Sequence, residues 1–121
     1  MSFPVLICDD SSLARKMVRK SLPEPFTEQV YTAENGQQAL QLLEQHPICL
    51  LFLDLTMPLM DGVEVLQTIK ERSLEVFVIV ISGDIQPQMQ ERVLSLGALD
   101  FIKKPVDSVR LHGVLQRFGL Y

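Results

Sequence analysis

Residues 48–58 read ICLLFLDLTMP, an apolar run from Ile48 to Leu53 that ends at a single acidic residue, Asp54. A continuous apolar run of this length is typical of a strand that is covered on both faces, as in a parallel sheet. The turn-forming pair Asp61-Gly62 follows shortly afterwards. The stretch therefore predicts a buried strand that delivers one carboxylate to a loop.

Similar runs of branched and aromatic residues recur on both sides of this stretch, and amphipathic segments with helical spacing separate them. Five strands in strict alternation with five helices predict an α/β fold, a doubly wound five-stranded parallel sheet with right-handed crossovers. The second run is more mixed than the others and is typical of an edge strand. The four further runs are Val5 to Cys8, Gln29 to Thr32, Val76 to Ile81, and Leu99 to Ile102.

The first and fifth amphipathic segments are the clearest helices. In the fifth segment, an apolar stripe that includes Phe118 is predicted to pack on the sheet. In the first segment, Leu13, Met17 and Leu22 are predicted to face the core. The basic residues between them are predicted to face solvent, and we call them the basic cluster: Arg15, Lys16, Arg19 and Lys20.

The composition predicts one domain over residues 1–121. Hydrophobic residues make up 47% and charged residues 21% of the chain, as in ordinary globular proteins. The net charge of -4 disfavours binding to nucleic acid or to an anionic membrane. Cys8 and Cys49 lie in apolar runs and are predicted to be reduced core thiols. Because no apolar run approaches the ~20 residues of a membrane span and no secretory signal is seen, we expect a cytoplasmic protein.

Polar residues follow the predicted strands at the ends where parallel sheets bind ligands. The pair Asp9-Asp10 follows the first strand, Asp54 the third, Ser82 the fourth and Lys104 the fifth. Carboxylates within about 5 Å of one another repel by roughly 3 kcal/mol per pair at an effective dielectric constant near 20. A hard divalent cation such as Mg²⁺ relieves that repulsion, and an Asp carboxylate can act as a nucleophile toward phosphorus.

Each of these residues has an ordinary structural interpretation when it is taken alone. Asp54 is then a turn former, Asp9 or Asp10 a helix cap, and Ser82-Gly83 a turn. The pair Lys103-Lys104 is then a solvated charge pair. Their joint occurrence, each at the end of a different predicted strand, favours a single site.

The set of motifs resembles the receiver domain of two-component response regulators, the CheY-like family. The resemblance covers essentially the whole chain and is carried by Asp9-Asp10, residues 54–62, Ser82-Gly83 and Lys104-Pro105. It implies a flavodoxin-like sheet with the strand order 2-1-3-4-5.

The resemblance also implies a role for each acidic residue. Asp54 matches the phosphoacceptor, Asp10 a direct Mg²⁺ ligand, and Asp9 its partner in the acidic pair, which in the family usually reaches the metal through water. The backbone carbonyl of Thr56 matches a further ligand to Mg²⁺. Mg²⁺ is therefore the expected cofactor, held by Asp9, Asp10, Asp54 and Thr56.

Lys104, Ser82 and Phe101 match the remaining functional positions of the family. Lys104 matches the lysine that pairs with the phosphoryl group, and its bond to Pro105 is often cis in the family. Ser82 matches the switch hydroxyl and Phe101 the switch aromatic, a position where many members have Tyr. Asp84, two residues after Ser82, matches a position that tunes the lifetime of the acyl phosphate.

The implied function is a signalling switch that catalyses only its own phosphorylation and dephosphorylation. The expected phosphodonor is a histidine kinase or phosphotransfer protein, and the expected recipient is an effector protein or a fused output domain. The chain is then a stand-alone regulator or part of a longer protein. A dimer through the fourth helix, fifth strand and fifth helix is a further expectation.

Three alternatives stay open at this stage. The chain could be a constitutive protein-binding module that is not phosphorylated. It could be a metal-dependent phosphohydrolase, although 121 residues leave no room for the cap domain of such enzymes. The basic cluster is best interpreted as a solvated face, and docking of an acidic or helical kinase partner is the alternative.

Overall fold

The computed structural model describes residues 3–83 and 86–121, which form a parallel five-stranded sheet in the order β2-β1-β3-β4-β5. Five α-helices cover the two faces of the sheet, so the predicted doubly wound fold is confirmed. The strands are β1 (Val5–Cys8), β2 (Val30–Ala33), β3 (Leu50–Leu53), β4 (Phe77–Ser82) and β5 (Asp100–Lys103). The helices are α1 (Ser12–Ser21), α2 (Gly36–Gln45), α3 (Gly62–Glu71), α4 (Pro87–Ser95) and α5 (Ser108–Arg117).

The first apolar run coincides with β1, whereas the other four runs place the strand starts one or two residues too early. The β3 ladder begins at Leu50, although the apolar run begins at Ile48, which is buried without being part of the strand. β5 likewise begins at Asp100, one residue after Leu99. Hydrophobicity reports burial, whereas the strand is defined by backbone pairing, and the two differ where the chain enters the sheet. The mixed second run is an edge strand, as predicted.

Alternate residues of each central strand serve two different cores, which explains why the runs are apolar throughout. Leu6 and Cys8 of β1 face the layer formed by α2, α3 and α4. Val5 and Ile7 face the layer formed by α1 and α5. Both faces of the sheet are therefore buried against helices, and polar side chains lie at the strand ends and in the loops.

Helix α1 differs from its prediction at two positions. Ser11 caps the helix by accepting a hydrogen bond from the Ala14 amide, 3.2 Å away. Leu13 does not face the core: 67% of it is exposed, because the first turn of α1 lies against an open cleft beside the end of β1. Arg15 does not face solvent, since only 17% of its side chain is exposed. The other members of the basic cluster are exposed, as predicted.

The ends of α1 and α5 contain two further departures. A short 3-10 helix, Glu24–Phe26, which the helical spacing does not predict, follows α1 and buries Phe26 against Phe3. Phe118 caps α5, is 36% exposed and is not among the residues packed on the α1–α5 core, so its predicted place on the apolar stripe is wrong. Gly119 has a φ of 72°, which turns the chain so that Leu120 packs on this layer instead.

Candidate functional site

Three carboxylates meet at the carboxyl edge of the sheet. Asp9 and Asp10 follow β1, and Asp54 follows β3. Strands β1 and β3 are parallel neighbours with Cys8 paired to Leu53, so the residues after them emerge side by side. One oxygen from each of the three carboxylates lies within 4.8 Å of the others. Asp9 and Asp54 are buried and Asp10 is exposed, so the cluster is open on one side.

Lys104 extends from the end of β5 into this cluster. Its ammonium nitrogen Nζ lies 2.8 Å from Oδ2 of Asp9 and 3.3 Å from Oδ1 of Asp54. The backbone amide of Lys104 donates to the carbonyl of Ser82, 2.9 Å away, which joins the ends of β4 and β5. The Lys104–Pro105 peptide bond is cis. Lys103 is exposed, so the two adjacent lysines have different surroundings.

The electrostatics of the cluster show an excess of negative charge. Burial raises the pKa of the Asp54 carboxyl, and the charge of Asp9 raises it further. Lys104 and the backbone amide of Thr56 act in the opposite direction without cancelling this effect. Burial lowers the pKa of Lys104, but its hydrogen bond to Asp9 and the charge of Asp54 outweigh burial, so that pKa lies above its ordinary value. One ammonium therefore leaves the three acids under-compensated.

This donor set fits a magnesium ion. Mg²⁺ takes oxygen ligands, usually one or two carboxylates together with water and phosphoryl oxygens. The cluster offers carboxylate oxygens from Asp9, Asp10 and Asp54, and its exposed side leaves room for water or a phosphoryl group. Thr56 lies two residues after Asp54 in the loop between β3 and α3, with an exposed side chain.

The loop that carries Asp54 is held by the start of α3. Asp61 caps this helix by accepting a hydrogen bond from the Glu64 amide at 2.9 Å. The amide of Gly62 donates to the carbonyl of Leu55 at 3.0 Å. A Cβ atom on Gly62 would collide with the backbone oxygen of Asp54 and would lie 2.8 Å from the Cα of Leu55. Glycine at this position therefore permits the close approach that fixes the backbone of Asp54.

Ser82 and Phe101 lie on the adjacent strands β4 and β5. Ser82 is buried at the end of β4, and Phe101 is half-buried and packs against the core on the α4 side. Ser82, Phe101 and Met89 of α4 border a void of only about 10 Å³, which is far too small for an aromatic ring. Phe101 can therefore turn inward only if its neighbours move. Asp84 lies outside the described residues.

Arg15 is a contact of the site that the sequence analysis missed. Its guanidinium Nη1 donates to the backbone carbonyl of Asp9 at 2.7 Å. Its Nη2 lies 3.8 Å from a carboxylate oxygen of Glu34, in the loop between β2 and α2. The helical pattern assigned Arg15 to the exposed basic cluster, and the only signal against that assignment was its nearness in sequence to Asp9.

A family model described as the response regulator receiver domain matches residues 5–116. The chain belongs to this family. It is 36% identical over 111 residues to the chemotaxis protein CheY of Bacillus subtilis, and the match covers 92% of each chain. It is 32% identical over 117 residues to the transcriptional regulatory protein HptR of Staphylococcus aureus, with 95% of this chain but only 46% of that protein covered. The chain thus spans less than half the length of some curated relatives.

Solved structures show the same fold in receiver domains. A CheY from Borrelia burgdorferi, crystallised as a CheX-CheY-BeF3-Mg complex, has a TM-score of 0.88 and 31% identity, covering 98% of this chain and 90% of that one. The receiver domain of AraT, a response regulator from Geobacillus stearothermophilus, has a TM-score of 0.84 and 33% identity, covering 97% and 92%. The predicted family and the strand order 2-1-3-4-5 are therefore confirmed.

Membership places the chain in a signalling family rather than among classical enzymes. Within the described residues, no helix combines the length and the apolar character needed to span a bilayer.

Proposed function

We propose that this chain is a phosphorylation-dependent signalling switch in which Asp54 accepts a phosphoryl group. The observation that carries the proposal is the meeting of three carboxylates and one ammonium at a single edge of the sheet. The family match and the related CheY crystallised with BeF3 and Mg support it. The expected phosphodonor is the phosphohistidine of a histidine kinase or phosphotransfer protein.

Mg²⁺ is the proposed cofactor, with Asp9, Asp10, Asp54 and the backbone carbonyl of Thr56 as its protein ligands. When bound, Mg²⁺ neutralises charge on the phosphoryl oxygens, which is most of what phosphoryl transfer requires from a protein. The all-oxygen donor set and the uncompensated charge of the cluster support this assignment.

Asp54 acts as the nucleophile. One of its carboxylate oxygens forms a bond to phosphorus while the bond between phosphorus and the imidazole nitrogen of the donor breaks. The electron pair of the broken bond stays on the donor's imidazole. Reset occurs when water attacks phosphorus, which restores the Asp54 carboxylate and yields inorganic phosphate and a proton.

Lys104 and Ser82 distinguish the modified state from the unmodified one. Lys104 is 3.3 Å from Asp54, so its ammonium can pair with an oxygen of the incoming phosphoryl group. Ser82 hydrogen-bonds the phosphoryl group only after modification. Because a ligand shifts an equilibrium only by what it gains in one state over the other, this added contact is the source of the switch.

Phe101 transmits the change to a partner-binding surface. Movement of Ser82 and Met89 enlarges the void beside them, and the half-buried Phe101 ring turns toward it. The surface formed by α4, β5 and α5 then changes shape. That surface contacts a downstream effector or a fused output domain, or it pairs with a second copy of the chain.

Residues 1–121 act as one receiver domain in the cytoplasm. The relatives include CheY of Bacillus subtilis, whose length this chain nearly matches, and longer regulators such as HptR. Both a stand-alone regulator and the receiver part of a longer protein are therefore consistent with the family.

The test is the intact mass of the protein after incubation with acetyl phosphate, with and without Mg²⁺. We expect one phosphate adduct that requires Mg²⁺ and that is lost in Asp54→Asn. The matched control is Asp107→Asn, an exposed cap of α5 where Asn serves equally well. An adduct of equal yield in Asp54→Asn would place the acceptor elsewhere and overturn the proposal.

The same experiment separates the alternative functions. A constitutive binding module would form no adduct in the parent protein. A phosphohydrolase would turn over a phosphomonoester many times, whereas the switch forms a single adduct on its own aspartate.

A further inference from the structure

We infer that Arg15 is a positioning residue for the magnesium site, acting through the backbone of Asp9. This inference rests on the proposed function, since it concerns the site that would hold the ion. It assigns a role to one member of the basic cluster that the sequence analysis had placed in solvent.

The guanidinium of Arg15 contacts the main chain of the acidic pair. Nη1 of Arg15 donates to the main-chain carbonyl of Asp9 at 2.7 Å, a short charge-assisted hydrogen bond. The bonded carbonyl belongs to the peptide group that links Asp9 to Asp10. Holding that peptide group restricts ψ of Asp9 and φ of Asp10, and so restrains the directions in which the two side chains leave the backbone.

Neighbouring elements restrain other parts of the acidic pair: Nζ of Lys104, at the end of β5, lies 2.8 Å from Oδ2 of Asp9. The amide of Asp9 donates to the carbonyl of Ala33 at 3.1 Å, which orients the residue from the β2 side. The amide of Ser11 donates to Oδ1 of Asp9 at 2.9 Å, which orients its carboxylate. Arg15 supplies the restraint on the peptide group that follows, at the point where the chain leaves β1 for α1.

The Arg15 side chain is itself held in place. Only 17% of its side chain is exposed, and Nη2 lies 3.8 Å from the carboxylate of Glu34. Arg15 thus spans from α1 across the end of β1 to the loop after β2. Its planar guanidinium directs Nη1 to the Asp9 carbonyl and Nη2 toward Glu34, a fixed geometry that the flexible point charge of a shorter lysine does not reproduce.

Positioning is distinguishable from simple charge compensation. Loss of a nearby positive charge by itself would strengthen the binding of a cation. Loss of a positioning contact weakens it, because carboxylates that are free to turn away must be ordered when the ion binds. Arg15→Lys keeps the positive charge and removes the planar guanidinium group, so it isolates the positioning effect.

The experiment compares Arg15→Lys with Arg19→Lys, the same substitution at an exposed position of the same helix. Mg²⁺ affinity is measured by calorimetric titration at a temperature where all three proteins are folded. We expect Arg15→Lys to bind Mg²⁺ about 10-fold more weakly than the parent protein. Arg19→Lys should match the parent. Equal affinity in all three proteins would overturn the inference.

A second readout excludes a folding defect as the cause. The yield of phosphate adduct with acetyl phosphate is measured over a range of Mg²⁺ concentrations. We expect Arg15→Lys to shift the midpoint of this curve and to reach the parental yield at saturation. A lower maximal yield with an unchanged midpoint would indicate a partly misfolded population and would contradict the positioning role.

A third readout does not depend on the proposed function. In metal-free protein, the carboxyl ¹³C resonances of Asp9 and Asp10 should shift in Arg15→Lys and stay in place in Arg19→Lys. If the parent protein binds no Mg²⁺ and accepts no phosphate, the proposed function fails, and these resonances still decide whether Arg15 positions the acidic pair. Unmoved resonances in Arg15→Lys would overturn that role.

Discussion

The two edges of the same sheet carry buried acids in opposite arrangements. At the carboxyl edge, Asp9 and Asp54 are buried together beside Asp10, and the pair shares one lysine. At the amino edge, Asp100 begins β5; its Oδ1 accepts from the Phe101 amide at 2.8 Å and its Oδ2 lies 3.6 Å from the guanidinium of Arg117. Both edges bury carboxylates, so burial alone does not mark a site. A cluster of like charges does mark a site, because repulsion between the carboxylates favours the binding of a cation.

The contrast between the two edges can be tested by displacing the backbone at the carboxyl edge. We expect Gly62→Ala to lower the free energy of unfolding by about 3 kcal/mol, because the added methyl group meets backbone atoms of Asp54 and Leu55 that cannot move aside cheaply. Urea denaturation measures the change. We also expect weaker Mg²⁺ binding, since Asp54 would be displaced.

Gly113→Ala is the matched control for this substitution. Gly113 lies within α5, and a Cβ atom there meets nothing within 4 Å. The substitution should therefore stabilise the protein by about 0.5–1 kcal/mol through helix propensity. Destabilisation of similar size in both variants would show that the close approach at Gly62 has no special cost.

The second prediction compares the stability effects of neutralising one acid at each edge of the sheet. In metal-free protein, Asp54→Asn should raise the free energy of unfolding by about 1 kcal/mol, because it removes a buried charge and relieves the repulsion from Asp9. Asp100→Asn should lower it by about 0.5 kcal/mol, because the pair with Arg117 is lost. Thermal and urea unfolding without Mg²⁺ measure both changes.

Added Mg²⁺ should reduce the stability advantage of Asp54→Asn over the parent protein. A ligand that binds only the folded state stabilises it, so the parent protein should gain more stability from Mg²⁺ than Asp54→Asn does. If Asp54→Asn were destabilised in metal-free protein, Lys104 would already balance the acids, and the contrast between the edges would disappear.

The third prediction compares the chemical reactivity of two cysteine thiols, one near each edge of the sheet. Burial raises the pKa of Cys8 to about 12, and the charges of Asp9 and Asp54 contribute to this rise. At pH 8 only about one in 10,000 Cys8 side chains is then a thiolate, the form that reacts. Cys49 is half-buried at the amino edge, and burial also raises its pKa.

We expect a disulfide reagent to modify one thiol in the native protein and two in urea. Cys49→Ser should abolish the native reaction and leave the reaction in urea at one thiol. Modification of Cys8 in the native Cys49→Ser protein at the rate seen for Cys49 would show that the carboxyl edge opens readily. That result would contradict the burial of Cys8 beside the carboxylate cluster.

Most of the fold follows from patterns that are local in sequence. The apolar run at β3, the turn residues and the alternation of segments predict the architecture, because in a parallel sheet both faces of each central strand must be dry. Strand starts were less predictable, as Ile48 and Leu99 are apolar without belonging to the ladders. Leu13 and Phe118 were misplaced because helical spacing does not reveal where a helix extends past its neighbours.

The acidic residues and the lysine that meet at the site could also be predicted from the sequence, since each follows a predicted strand. Their pairing was not, because the distances from Lys104 to Asp9 and Asp54 depend on the relative positions of three strands. The contact between Arg15 and the Asp9 carbonyl was hidden for a similar reason. A backbone carbonyl has no sequence signature, so no pattern of residue types could point to it.

Local sequence is enough to indicate which residues are apolar, where the chain turns and which polar groups stand at strand ends, because these properties belong to single residues and their near neighbours. Only the three-dimensional arrangement shows how close the three carboxylates lie, that Lys104 bridges two of them, and that Arg15 is turned inward while Leu13 faces solvent. These outcomes depend on the packing of distant segments against one another, and the energies of charged groups vary steeply with the distances that packing sets.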